Sequence, residues 1–293
     1  MESALRTRME KIIGRIDQLP TLPLVCRRLQ AMLTDPTVSA RDVGAVIEQD
    51  QALAAKLLKV VNSSYYHFPK KISTISHSVV ILGFNEIKHM ALSVSLLKMF
   101  GRKTGKNAFS QSELWKHSLG VAVCAGAIGR KVGQSKCPSH EEAFAAGLLH
   151  DIGKIIEDQF LHDDFVRVLT TRQNEKLRLV EAEKSVLRFT HQDIGAFLAE
   201  QWRIPPVLVS AIGFHHDPIM CRNSESIFTI TSIVHCANVI VRSIALGSGG
   251  DPFVPHFVPE SWYSLGMTIE HVQEIVDETC LLYDDMSNLL LGE

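Results

Sequence analysis

The sequence has no CxxC pair, no hydrophobic run long enough to cross a bilayer, and no excess of charge of either sign. Its 30 lysines and arginines nearly balance its 32 aspartates and glutamates. Because nucleic-acid and acidic-lipid partners favour a clear basic excess, the bulk charge predicts neither. The longest apolar run, residues 121–128, is far shorter than the roughly 18 residues of a membrane span. We therefore expect no nucleic-acid partner and no membrane partner.

Cysteines are few, and their positions argue against a disulfide framework. They lie mostly within apolar helical patterns, where a cysteine serves as a small hydrophobic residue, and this use is typical of a reducing compartment. The N-terminus carries Glu2 and Glu10 and lacks the apolar segment of a secretory signal. The sequence therefore predicts a cytoplasmic protein, with Cys124 buried and unreactive. The six cysteines are Cys26, Cys124, Cys137, Cys221, Cys236 and Cys280.

Apolar residues recur every three or four positions through most of the chain, which is typical of amphipathic helices. Helix starts are marked by Thr21 before Pro23, by Ser39 with Asp42, by Asp50 and by Ser139. The apolar residues 79–81 could form a strand, but no pairing partner or hairpin turn lies nearby. The sequence therefore predicts an all-α fold. Further helices are predicted over residues 74–82, 85–100, 110–132, 163–173, 178–187, 191–202, 205–215, 226–246 and 268–290.

The best candidate for a boundary inside the chain is the polar, glycine-bearing stretch of residues 101–107. Short amphipathic helices need a shared core to be stable, so we expect two helical lobes packed against each other. Residues 247–250, three glycines and a serine, predict a flexible joint. The predicted organisation is an N-terminal helix (1–18), an N-terminal helical lobe (19–106), a second helical lobe (107–246), and a linker with a C-terminal helix (247–293).

Thirteen histidines carry most of the chemical information. The sharpest string is Gly147-Leu-Leu-His150-Asp151-Ile-Gly-Lys154, because it sets an imidazole beside a carboxylate that can bridge two ions. Glu113 and His117 are four residues apart and share a helix face. Sites rich in imidazole with one or two carboxylates favour Fe, Mn, Zn or Ni over Mg or Ca. Taken singly, each histidine is as well explained as a core or surface residue, or as a helix end.

The order of these residues resembles the signature of the HD metal-dependent phosphohydrolases, in the longer form found in HD-GYP phosphodiesterases. The resemblance implies two metal positions that share Asp151 as a bridging ligand. The first position would be held by His117, His150 and Asp151, and the second by Asp151, His191, His215 and His216.

Three further positions follow from the same resemblance. Lys154 would lie beside a substrate phosphate and act with Asp151 as a catalytic residue. Glu113 matches the additional acidic ligand of some trinuclear members. The aspartate that closes the pattern is replaced here by Asn238, and no Gly-Tyr-Pro motif follows His216, so the HD-GYP subgroup is not matched.

The N-terminal half is similar to the HDOD family, the HD-related output domain of bacterial signalling proteins. Over residues 19–246 the sequence is identified as a member of that family. The resemblance implies an all-α bacterial protein that serves as an output or scaffold module, in a family whose members have mostly lost part of the catalytic set. The motifs that carry it are Leu19-Pro20-Thr21-Leu22-Pro23, Ile47-Glu48-Gln49-Asp50, Leu57-Leu58-Lys59-Val60-Val61-Asn62-Ser63, Leu82-Gly83 and Leu114-Trp115-Lys116-His117-Ser118.

Two functions remain open at this point. The first is a signalling output or interaction module with a partly retained metal site. Its partner is unknown, and we place its partner-binding surface in the groove between the lobes. A simpler version of this hypothesis has no metal ion and treats the histidines as vestigial core residues. The second is a metal-dependent phosphohydrolase acting on a nucleotide or a cyclic dinucleotide. Because Asn238 removes one negative charge, we expect either fewer than two tightly held transition-metal ions per chain or two of unequal affinity, with poor or absent hydrolysis.

Overall fold

The computed structural model describes residues 21–32, 37–100, 109–133, 135–137 and 139–292, together with Thr7 and Asp35. Throughout this part of the chain the regular structure is helical and contains no strand, so the predicted all-α class is confirmed. Residues 79–81 lie within a helix, which excludes the strand interpretation. The predicted N-terminal helix (1–18), Thr7 apart, and the predicted boundary at 101–107 lie outside the described residues.

The N-terminal lobe is built from short helices whose starts follow the expected caps. Ser39 and Asp42 form a reciprocal capping box at the start of one helix, and the Asp50 carboxylate accepts the Leu53 N–H at 3.0 Å at the start of the next. The first four helices each bury one face in a common core, whereas the fifth is buried on every side from Ile87 to Leu97. The helices of this lobe are α1 (Leu24–Met32), α2 (Ala40–Glu48), α3 (Gln51–Val61), α4 (Ile75–Leu82) and α5 (Phe84–Phe100).

The second lobe surrounds one central helix, α6, in which every residue from His117 to Gly129 is buried. Three other helices, α7, α13 and α15, pack against it. The elements are α6 (Gln111–Val132), α7 (His140–Leu149), α8 (Ile152–Phe160), α9 (His162–Glu175), α10 (Leu179–Val186), α11 (His191–Gln201), α12 (Pro206–Phe214), a short 3₁₀ helix (Pro218–Cys221), α13 (Glu225–Ser243), α14 (Pro259–Ser264) and α15 (Ile269–Leu290).

The two lobes pack directly on each other. The ring of Tyr65 lies 5.2 Å from that of Phe144, centroid to centroid, and the Arg130 guanidinium lies 4.5 Å above the Tyr65 ring. Helix α5 also contacts α7. The buried apolar side chains of both lobes form one continuous core, so the metal-ligand candidates on α6 and α7 are held by the packing of the whole molecule.

Two helices of the second lobe differ in role from what their sequences suggest alone. The C-terminal helix α15 packs along α6 and reaches α3, so it joins the cores of both lobes. Helix α13 is long and apolar enough to span a membrane by length and composition, with a mean hydropathy of 1.3 over 18 residues. Because 61% of that window is buried inside the protein, packing against α6, α7 and α12 accounts for its apolar character.

Candidate metal centre

The His150-Asp151 pair lies at the junction of two helices, where the chain turns from α7 into α8. His150 ends α7 and Asp151 precedes α8, so both side chains point into the space between these helices and α6. The second glycine of the same string, Gly153, is required for the close contact between α8 and the start of α11. A Cβ on Gly153 would lie 1.9 Å from the carbonyl oxygen of His191, so only glycine lets α8 approach the start of α11 this closely. The string therefore brings Asp151 next to His191.

The Asp151 carboxylate lies between two pairs of imidazoles. Its Oδ2 is 3.3 Å from His150 Nε2 and 3.7 Å from His117 Nε2. Its Oδ1 is 3.3 Å from His191 Nε2 and 3.6 Å from His215 Nε2. All five side chains are buried. One carboxylate oxygen thus faces each predicted metal position, which is the arrangement of a bridging ligand.

His216 extends the second group of ligands. Its ring centroid is 4.3 Å from that of His215 and 5.4 Å from that of His191. In the first group, one ligand atom each of His117, His150 and Asp151 lies within 4.8 Å of the others, and His191, His215 and His216 meet the same condition. The structure therefore brings together six of the predicted ligands from α6, the α7–α8 junction, α11 and the end of α12.

Unpaired buried atoms show that these residues fit a metal ion. Four atoms are buried without a hydrogen-bond partner among the residues that the structure describes: Asp151 Oδ1 and the Nε2 atoms of His150, His191 and His215. Leaving such atoms unpaired is costly, and a transition metal bound by imidazole and carboxylate satisfies them. The opposite ring nitrogens fix the rings, since His150 Nδ1 lies 2.7 Å from the Gly147 carbonyl oxygen and His215 Nδ1 lies 2.9 Å from that of Ile212.

The two sides of the Asp151 carboxylate differ because Lys154 occupies one of them. Its buried ammonium donates to Asp151 Oδ2 at 2.6 Å, whereas Oδ1 has no hydrogen-bond partner. Burial opposes ionisation of Asp151, yet His150 and Lys154 hold its pKa well below the usual range. Burial also lowers the pKa of His117 and His215, with help from neighbouring imidazoles. The two imidazoles are therefore neutral at neutral pH, the form in which histidine binds metals.

Two predicted residues stand apart from these groups. Glu113 belongs to neither, because its side chain is 44% exposed and pairs with Lys116 at 3.2 Å on the first turn of α6. The resemblance to trinuclear members implies a Glu113 side chain directed at the metal ligands, whereas here it is paired with Lys116. Asn238, on α13, is buried and lines the same cavity as His117, and its Oδ1 has no hydrogen-bond partner.

A residue that the sequence did not indicate orients one of the ligands. Both carboxylate oxygens of Glu183 lie within 2.9 Å of His191 Nδ1, and Glu183 Oε2 also accepts the His191 backbone N–H at 3.0 Å. Glu183 is completely buried, and such carboxylate partners fix the orientation of metal-binding imidazoles. Beside it, burial and the charge of Glu183 raise the pKa of Glu157 well above its usual range. Glu183 is one of two acidic residues in an amphipathic helix, so no sequence motif distinguishes it.

Cys124 lies away from the centre. It is fully buried, as predicted, and burial raises the pKa of its thiol to about 12. The groups that influence it, among them Thr279 and Glu278, belong to α15 rather than to the metal-ligand helices.

A cavity of about 240 Å³ opens beside the ligands. His117, His191 and His216 form part of its inner wall, and its other walls come from α10, α13 and residues 249–256. The side chains that reach it include four cations. These are Lys154, Arg178, Lys184 and Arg242.

Comparisons with known proteins identify the family and the fold of the chain. The HDOD domain family model matches residues 19–218. An uncharacterised protein of Treponema pallidum (strain Nichols) is 26% identical over 231 residues, covering 79% of this chain and 44% of that protein. Ribonuclease Y of Clostridium kluyveri is 30% identical over 136 residues, covering 46% of this chain and 20% of that enzyme. The chain thus spans less than half the length of these relatives.

Solved structures show the same fold over nearly the whole chain. An HDOD domain protein from Geobacter sulfurreducens has 25% identity and a TM-score of 0.77, covering 99% of this chain and 100% of that one. A protein from Marinobacter aquaeolei VT8 assigned to signal transduction has 22% identity and a TM-score of 0.72, covering 98% and 66%. A protein from Shewanella amazonensis SB2B described as a phosphohydrolase has 19% identity and a TM-score of 0.66, covering 95% and 97%. With two thirds of its residues matched by the family model, the chain belongs to the HDOD domain family.

Proposed function

We propose that this chain is a bacterial signalling output module that holds an HD-type transition-metal centre. One observation carries the proposal: the Asp151 carboxylate lies between two pairs of buried imidazoles, three of which direct an unpaired Nε2 toward it. If the histidines were only vestigial core residues, their buried Nε2 atoms would not be kept without hydrogen-bond partners around one carboxylate, because buried polar atoms without partners destabilise a core. Membership of the HDOD domain family supports the signalling role.

The centre binds one ion firmly, on the Oδ1 side of Asp151. His191, His215 and His216 belong to that side, where Asp151 Oδ1 has no hydrogen-bond partner among the described residues. On the Oδ2 side the Lys154 ammonium is already in place. Two unit charges about 4 Å apart interact by about 4 kcal/mol at an effective dielectric constant of 20, so a cation here is repelled by Lys154. Asn238 offers this side only a neutral oxygen in place of an anionic one.

Elemental analysis of the purified protein tests the proposal. We expect about one Fe, Mn, Zn or Ni ion per chain, and a rise toward two in Asn238→Asp combined with Lys154→Met, which adds an anion and removes the competing cation. Asn288→Asp is the matched control, because it adds the same charge at an exposed position. Protein that binds none of these ions even when they are supplied would refute the metal centre. Two equally tight ions in the native chain would refute the inequality.

A second candidate function is hydrolysis of a phosphate ester such as a nucleotide or a cyclic dinucleotide. The cations that line the cavity beside the ligands favour it. Metal ions at such a site supply polarisation of a phosphoryl oxygen and a more acidic water. Lys154 lines the cavity, and its ammonium has three N–H donors, so it can contact a phosphate while it donates to Asp151. Turnover of bis-p-nitrophenyl phosphate by the metal-loaded protein tests this function, with Asp151→Asn as the inactive control; rates equal to that control would exclude it.

A further inference from the structure

A glycine-rich segment covers the metal centre. Residues 247–256, the strap, cross above α6 between α13 and α14. Gly247 has φ +63°, and a Cβ there would lie 2.2 Å from the His117 backbone nitrogen. Gly249 is buried, and a Cβ there would lie 3.2 Å from Lys154 Nζ and 3.4 Å from Asp151 Oδ2. The strap backbone is therefore a roof over the first metal position.

Hydrogen bonds hold the roof in place, in contrast to the flexible joint expected at residues 247–250. The strap is bonded to α6, α9, α13 and the start of α10, so it behaves as part of the cavity wall. The bonds are Ser248 N–H to the Glu113 carbonyl (3.0 Å), Arg172 Nη1 to the Gly250 carbonyl (2.9 Å), Leu179 N–H to Asp251 Oδ2 (2.8 Å) and Arg242 Nη2 to the Phe253 carbonyl (3.0 Å).

The cavity under the strap combines positive charge with an apolar wall. Among the described residues, two acids line the cavity beside its four cations, and both are engaged: Glu181 accepts the Arg178 N–H and Asp251 accepts the Leu179 N–H. One of the cations, Lys154, is paired with Asp151. Phe253 and Val254 line the cavity, and these residues are 43% and 42% exposed. A volume of about 240 Å³ is just below the range of about 300–1,000 Å³ usual for ligand sites.

We propose that this cavity binds a small phosphate ester and that the strap excludes polynucleotides. A phosphate matches the lysine and arginine groups, which bind it by charge-assisted hydrogen bonds. The organic part of the ester packs on Phe253 and Val254. A continuous nucleic-acid strand needs an open groove on both sides of the site, and the anchored strap closes one side at Gly249. The inference rests on the proposed function, because the proposed ion would lie at the wall of this cavity.

Calorimetric titration of the full-length, metal-loaded protein at 150 mM salt tests the proposal. The probes are AMP, inorganic phosphate and a 15-nucleotide single-stranded RNA. We expect AMP to bind and the RNA neither to bind nor to displace it. Arg178→Gln combined with Lys184→Gln should weaken AMP binding at least tenfold and leave the metal content unchanged. Lys70→Gln combined with Lys71→Gln, which removes the same charge from exposed positions in the other lobe, should change neither.

Three results would overturn the inference. They are RNA binding as tight as that of AMP, unchanged AMP affinity in the Arg178 and Lys184 double variant, and absence of AMP and phosphate binding in protein shown to carry its ion. None of these affects the metal centre. Failure to bind any ion would instead refute the proposed function, and the same titrations on the metal-free protein would then decide whether the cavity binds phosphate esters.

Discussion

Replacing Gly153 by alanine should disturb the metal centre through the backbone alone. The new Cβ would lie 1.9 Å from the His191 carbonyl oxygen and 2.7 Å from its carbonyl carbon. Since real Cβ contacts below 3.0 Å are essentially absent, α8 or α11 must move by about 1 Å in a close-packed interior. Overpacking of this kind costs about 1–3 kcal/mol, and a backbone clash lies at the upper end. The higher helix propensity of alanine relative to glycine offsets about 1 kcal/mol of this cost.

The expected net loss of stability is therefore about 2 kcal/mol, or a fall in Tm of roughly 4–8 °C. Because Asp151 precedes α8 and His191 begins α11, the shift also separates two ligands by a distance comparable to half a metal–nitrogen bond of about 2.0–2.1 Å. Ion affinity should fall at least about tenfold. Thermal melts of the metal-free protein and competition with a chromogenic chelator measure the two effects.

Gly213→Ala is the matched control for this prediction. Its Cβ would meet only the Ala196 methyl, at 3.2 Å, so it gains helix propensity with little crowding. Its Tm should be unchanged or higher and its ion affinity normal. A Gly153→Ala variant with wild-type Tm and wild-type ion affinity would show that the crossing of α8 and α11 does not position the ligands.

Three further predictions concern individual side chains. Glu183→Gln should weaken ion binding about 10–100-fold because His191 loses its carboxylate partner, whereas the exposed Glu175→Gln should not; equal affinities in a chelator competition would contradict this. Burial lowers the pKa of His89 to about 3, and an unfolded histidine titrates near 6.5, so stability is lost as pH falls below about 6.5, reaching about 2 kcal/mol at pH 5. Neither His89 ring nitrogen has a hydrogen-bond partner among the described residues, so His89→Leu should keep the wild-type unfolding free energy at pH 7.5. Between pH 7.5 and pH 5 the variant should lose about 2 kcal/mol less unfolding free energy than the wild type, as measured by urea unfolding. An identical pH dependence would refute the assignment. Cys124 should resist a thiol reagent while the exposed Cys280 reacts, and equal labelling rates by peptide mass analysis would show that α15 does not protect it.

Local chemistry made most of the helices predictable. Ser39 with Asp42 and Thr190 with Asp193 form capping boxes whose residue spacing can be seen in the sequence. Most of the helices have an apolar face that can be seen in the sequence, so the all-α class follows from periodicity. The exceptions are α5 and α6, which are buried on every side along much of their length. The order of the histidines supplied the ligand set by resemblance, because a superfamily signature fixes which residues meet even when they come from separate helices.

The remaining features depend on packing between distant segments, which periodicity does not encode. Glu183 and His191 are eight residues apart and meet because of the path that residues 187–190 take between α10 and α11. Residues 247–250 have the composition of a flexible joint, yet the strap is anchored because its glycines allow the backbone to lie against α6. Glu113 has the right helical spacing from His117, but its position on the first turn directs the side chain to solvent, where it pairs with Lys116.

Charge balance links the ion, the lysine and the cavity. Among the residues that surround Asp151 most closely, the carboxylate and the Lys154 ammonium cancel, and the imidazoles with lowered pKa are neutral. One divalent ion therefore leaves about two positive charges in a buried site, where interactions between charges are poorly screened, and the Glu183 carboxylate on His191 offsets one of them. An aspartate at position 238 would offset the other, and this chain has asparagine. The compensating charge must then come from an anion, and the cavity with Arg178, Lys184 and Arg242 is open to one. Binding of the ion and of a phosphate ester should consequently strengthen each other by the same factor, as linkage requires. We therefore expect the asparagine at position 238 to couple ion affinity to the bound ligand, and chelator competition with and without AMP measures that coupling.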